Sequence, residues 1–173
     1  MSIGNVISNT VESIKDDCRD ILLPPEEGCP AIAQPVISFS LVRNTRVYIE
    51  RVVHQINGCY TNGMYDACAV MIRRFLEILI IESFEHHQIA EKIKNSNGDF
   101  VYLSDLITTT ISETSWNLSR NTKSALPKLK DIGDKSAHSR RFNAVRSDID
   151  RIMPDLRLVA QELIYLADLI RRS

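Results

Sequence analysis

The sequence predicts an all-α protein, a bundle of about five to seven helices around one buried central helix. Apolar residues recur at three- and four-residue spacing in one window after another, the period of helices packed on one side. Four of the six prolines crowd into residues 24–35, which leaves long stretches free of helix breakers. No strand-like alternation is sustained, and no internal repeat is visible.

Taken in order, Val6, Ile7, Val11, Ile14, Cys18 and Ile21 share the helical period, so a first amphipathic helix is expected over about residues 5–21. Residues 23–35, with four prolines and a glycine, form a connector that cannot continue it. Residues 36–42 could form a short strand, yet one strand has no obvious partner. A second helix starts near Asn44, a good N-cap residue, and carries Val47, Tyr48, Val52, Ile56 and Tyr60 until Thr61-Asn62-Gly63 breaks it. The third, over about residues 64–84, has apolar residues around most of its circumference (Tyr65, Cys68, Met71, Ile72, Phe75, Leu76, Leu79, Ile80) and is the expected centre.

After a turn at Asn95-Ser96-Asn97-Gly98, Ser104 or Asp105 is expected to cap a fourth helix carrying Leu103, Leu106, Ile107 and Ile111. Pro127 reads as the first turn of a helix ending at Ile132, and Gly133 as a C-terminal or tight-turn glycine needing positive φ. Ser147 caps the final helical region, where Pro154 imposes a kink or restart, and Leu156, Val159, Leu163, Leu166, Ala167 and Ile170 face inward. Residues 1–43 are thus a helix and connector, and residues 44–173 the bundle.

A chain of 173 residues buries roughly 70% of its unfolded surface, enough for a core without metal or disulfide staples. Cys18, Cys29, Cys59 and Cys68 form no CxxC pair, and reduced thiols fit a cytoplasmic protein. Met1 to Thr10 lacks the charged and apolar regions of a signal peptide, and no apolar run is long enough to cross a membrane. The net charge of −1 hides an asymmetry: between Arg120 and Arg151 lie nine basic residues against four aspartates. That zone suits either a phosphate-bearing partner at one place or a solvated helix face.

Within it, residues 130–141 (Lys130-Asp131-Ile132-Gly133-Asp134-Lys135-Ser136-Ala137-His138-Ser139-Arg140-Arg141) gather charges around one imidazole. His138 could act as acid or base, since imidazole titrates near neutrality. Metal-independent RNA cleavage needs a base for the 2′-hydroxyl, an acid for the leaving oxygen and a cation over the phosphate. His138 and Lys130 are the catalytic candidates, and Lys135, Arg140 and Arg141 the phosphate contacts. On the third helix, Asp66, Arg73 and Glu77 fall along one face with Arg74 beside them. Arg73 and Arg74 could add to a nucleic-acid site, whereas Asp66, Glu77 and Asp134 read as a structural polar network. His86 and His87 diverge by about 100° on a helix and make no metal pair. Trp116 with Arg120 could stack a base or simply pack. No P-loop, dinucleotide fingerprint, HExxH or serine elbow occurs, so no cofactor or metal is expected.

Two pieces together resemble a known family: Met71-Ile72-Arg73-Arg74-Phe75-Leu76-Glu77 after Asn62-Gly63-Met64-Tyr65-Asp66-Ala67, and the run 129–138 followed by Gln161-Glu162-Leu163. Over residues 61–167 the chain is similar to the HEPN superfamily, in particular a branch found alongside restriction and abortive-infection genes. The resemblance implies a helical bundle, often dimeric and sometimes a metal-independent ribonuclease. It also implies a role in bacterial defence or stress response. In nuclease members an arginine precedes the histidine by a few residues, and the pair meets its dimer mate across a cleft. His138 matches the histidine, but Asp131, Ile132 and Gly133 stand where the arginine would be. The leading expectation is therefore a homodimeric binding module for RNA or single-stranded nucleic acid. The alternatives are a ribonuclease using Lys130 or Arg140, and a dimerisation domain without nucleic-acid contact.

Overall fold

The computed structural model describes residues 34–170. The helix expected over residues 5–21 and nearly all of the proline-rich connector lie outside them. Among the described residues there are six α-helices and no strand: α1 (Phe39–Val42), α2 (Val47–Thr61), α3 (Tyr65–His86), α4 (Leu103–Ser112), α5 (Arg120–His138) and α6 (Arg146–Leu166), with a 3₁₀ turn at Ala90–Ile93. The all-α bundle is the architecture that the apolar periodicity predicts.

Helix α3 is the centre, packing against α2, α4, α5 and α6. Cys68, Ala69, Ile72, Phe75, Leu76, Leu79, Ile80 and Phe84 are all fully buried along it. The flanking helices each turn one stripe toward it, Ile49, Val53 and Ile56 from α2 and Leu156, Val159 and Leu163 from α6. This one-sided burial is what makes an amphipathic helix stable in a bundle.

Several boundaries differ from the sequence expectation. Residues 36–42 are not a strand. Val36 and Ile37 are buried in a bend, and side chains bond their backbone in place of a neighbouring strand. Asn57 accepts from the Ile37 N–H (3.1 Å) and donates to its carbonyl (2.8 Å), and Arg157 donates to the carbonyls of Val36 and Pro35. Asn44 does not cap α2. It sits in the left-handed region (φ 67°), which asparagine tolerates, and donates its N–H to Glu50 from the first turn of α2. Tyr102 and Val145, not Ser104 or Ser147, stand at the N-caps of α4 and α6.

The largest correction concerns α5. It begins at Arg120 behind the capping Ser119, runs straight through Pro127 and Gly133, and ends at His138. Pro154 likewise lies inside an unbroken α6. Both prolines are on exposed faces, where water can bond the carbonyls they leave, while the buried stripes opposite keep each helix continuous. Gly133 is helical and does not need positive φ. It is glycine because α3 passes so close: a Cβ there would lie 2.7 Å from the Arg73 Cβ and 3.0 Å from the Ala69 carbonyl oxygen. The glycines that do need positive φ are Gly63, in the break before α3, and Gly98, in the expected turn.

Candidate functional site

The close approach at Gly133 sets the geometry of everything around it. With α3 and α5 in backbone contact, Arg73 reaches across the seam, and its Nε donates to Asp134 at 2.7 Å. Lys130, one turn before Asp134 on α5, bonds the other carboxylate oxygen. Glu77 completes the group at 3.9 Å from Arg73. Burial acts to raise the Asp134 carboxyl, but the hydrogen bonds and charges of Lys130 and Arg73 outweigh it and hold it below the usual range. Glu77 and Asp134 thus share a polar network with Arg73. Asp66 belongs elsewhere: it accepts from the Ala144 N–H (2.8 Å), fastening the loop between α5 and α6 to the N-terminal end of α3.

This pairing bears on the chemistry. Lys130 and Arg73 both serve Asp134, so the cation that RNA cleavage would place over a phosphate is neutralised here by an internal carboxylate. The same holds along the basic zone. Lys135 pairs with Asp131 (2.7 Å), Arg146 with Asp150 (3.5 Å) and Arg151 with Asp148 (3.1 Å), so each of the four aspartates holds a cation. Arg146 is further engaged by Tyr60, whose hydroxyl also donates to Asp150. The remaining cations, Arg120, Lys123, Lys128, Arg140 and Arg141, are strung along and beyond a helix about 28 Å long, so they form a line and not a patch.

At the C-terminal end of α5 several uncommitted polar groups gather. His138 is the last helical residue, and it, Ser139, Arg140 and Arg141 are all exposed. The side chains of His138, Arg140 and Arg141 have no hydrogen-bond or ion-pair partner among the described residues; Arg141 is anchored through its backbone N–H to the Ser139 hydroxyl. His138 thus stands beside Arg140 and Arg141 in the chain, one helical turn beyond Asp134, and Arg74 lies on the exposed side of α3.

A groove of about 400 Å³ runs between α5 and α6, lined by Lys128, Asp131, Lys135, Asp148, Arg151 and Asp155 over Ile132, Phe142 and Ile152. Three cations face three anions, so its net charge gives a polyanion no preference for it. His87 stacks edge-on against Trp116, which packs on Phe84 and donates its indole N–H to the Thr110 carbonyl. Trp116 is a packing residue. Among the described residues no cluster of histidine, cysteine and acidic side chains could hold a metal, and no helix is long and apolar enough to cross a membrane.

Three carboxylates were assigned no role from the sequence. Glu162 of α6 caps α5 from outside, accepting from the Ser119 N–H (2.6 Å), the Ser119 hydroxyl (2.8 Å) and the Thr122 hydroxyl. Burial acts against its charge, but those bonds win and its pKa is lowered. Glu113 accepts from Lys92 (2.8 Å) and from Ser115, which pulls it down to about 2. Glu82 is the opposite case: burial raises it against the pull of Arg46, with which it pairs at 2.8 Å while Tyr48 donates its hydroxyl. The signal that could have found Glu82 is its place in the apolar run of the central helix. Glu162 carried no local signal, because its partners lie forty residues away.

Comparison with family models, with curated proteins and with solved structures finds no match to this chain, so the site rests on its own geometry.

Proposed function

We propose that the chain is an HEPN-like, self-associating module that contacts the phosphates of RNA or single-stranded DNA without cleaving them, in a cytoplasmic defence or stress role. One observation carries this reading: His138, Arg140 and Arg141 stand exposed and unpartnered among the described residues at the end of α5, while every aspartate between Arg120 and Arg151 already holds a cation. Arginine's fork suits phosphate oxygens, and the imidazole can donate one more hydrogen bond. The negative end of the α5 dipole opposes an anion there, so binding is weak. Chemistry is disfavoured because Lys130 is neutralised by Asp134.

The test is titration of single-stranded RNA over a range of salt, with EDTA present. Binding is expected to fall as salt rises, and Arg140→Ala with Arg141→Ala should flatten the log–log slope by about 1.4, since each single-strand phosphate contact contributes about 0.7. EDTA-resistant RNA cleavage abolished by His138→Ala would replace this reading with a ribonuclease. No binding at low salt by parent or variant would leave a structural module.

A further inference from the structure

Helix α3 is buried on every side but one. Along that side, Val70, Arg73, Arg74, Glu77, Ile78 and Ile81 line an open groove. Val70 is 37% exposed, although it lies on the central helix of the fold. Surface aliphatics scattered singly are ordinary; three along one strip, interleaved with charges of both signs, ask for a partner.

The order of the residues names the partner. In a two-fold contact between antiparallel copies of one helix, each residue faces the one equally far on the other side of the axis. An axis midway between Phe75 and Leu76 pairs Val70 with Ile81, Arg73 with Ile78, and Arg74 with Glu77, each pair formed twice. Aliphatic meets aliphatic at the two ends. Arg73, tied to Asp134 and with its side chain 26% exposed, comes opposite Ile78. Arg74, exposed and without a partner among the described residues, meets the opposite charge. The strip is thus complementary to itself both in charge and in apolar character.

We infer that this strip of α3 is the surface through which two copies of the chain associate, antiparallel and two-fold symmetric. It deepens the self-association proposed above and rests on that part of the reading. One consequence separates it from a shared cleft. Asp66 holds the α5–α6 loop at the N-terminal end of α3, so the two His138 corners fall at opposite ends of the contact, on the order of 30 Å apart along the axis at 1.5 Å per residue. Each corner then binds phosphate alone.

The experiment uses charge reversal on the full chain, with mass followed by sedimentation from roughly 1 to 100 μM, since a contact this short is at the weak end of stable interfaces. The parent is expected to dimerise. Arg74→Glu sets like charges face to face and should raise the dissociation constant at least about tenfold, as should Glu77→Arg. The chain carrying both substitutions should regain the parent's affinity, and a mixture of the two single variants should form the heterodimer preferentially. Both positions are at least partly exposed, and far-ultraviolet circular dichroism checks that each variant keeps its helices. A parent that stays monomeric throughout, including one whose strip is covered by its own residues 5–21, overturns the self-association and the surface together. A parent dimer indifferent to all the reversals overturns the surface alone.

Discussion

The two ends of α5 carry similar residues and are used in opposite ways. At its N-terminal end, Ser119 and Thr122 are held by Glu162 from α6, and Thr122 is fully buried. At its C-terminal end, His138, Ser139, Arg140 and Arg141 face water. Between them Gly133 presses α5 onto α3. The helix is therefore fixed along most of its length and free at one tip. Polar groups whose partners are supplied by the fold carry structure, and those left over are the ones available to a ligand. The proposed function rests on that contrast.

The contrast breaks most visibly at its middle. Gly133→Ala should destabilise the protein by about 2–3 kcal/mol, the cost of forcing a methyl group against the Arg73 stem and the Ala69 carbonyl. Chemical denaturation measures it, and a change under about 0.5 kcal/mol would mean that the seam yields freely.

Next comes the closed end. Glu162→Ala strands the Ser119 N–H and two hydroxyls, with an expected loss of about 2 kcal/mol for a charge-assisted cap. The pH dependence sharpens this. Glu162 and Glu113 are lowered, so their contribution is complete above the ordinary glutamate value of about 4.3 and disappears as pH falls toward the folded values, about 2 for Glu113. Glu82 is raised, so it favours the fold below that value and opposes it as pH climbs through its folded value. Glu162→Gln should flatten the acid limb of the stability profile, and Glu82→Gln should steepen it.

The open end should give the smallest effect on stability. Arg140→Ala with Arg141→Ala, and His138→Ala, are each expected to stay within about 0.5 kcal/mol of the parent, because no described residue depends on those side chains. A larger loss would show that the tip is held after all, and the binding site would have to be sought elsewhere.

By itself the sequence determined the fold class, the central helix and the breaks. Each of these is written in neighbouring residues: the 3.6-residue period of Tyr65 to Phe84, the positive-φ glycine after Asn62, the Asn95–Gly98 turn. His138, Arg140 and Arg141 were also legible as one polar run. What only the tertiary structure decided depends on partners distant in the chain. Pro127 and Gly133 look like breaks locally, yet the buried stripe from Ala125 to Ile132 and the passing backbone of α3 keep α5 whole through both. Arg73 and Arg74 are the same letter side by side, and the fold alone lays Asp134 against the first and leaves the second exposed. Helical period is a property of nearest neighbours, whereas the pairing of a charge is decided by whichever element the fold lays beside it.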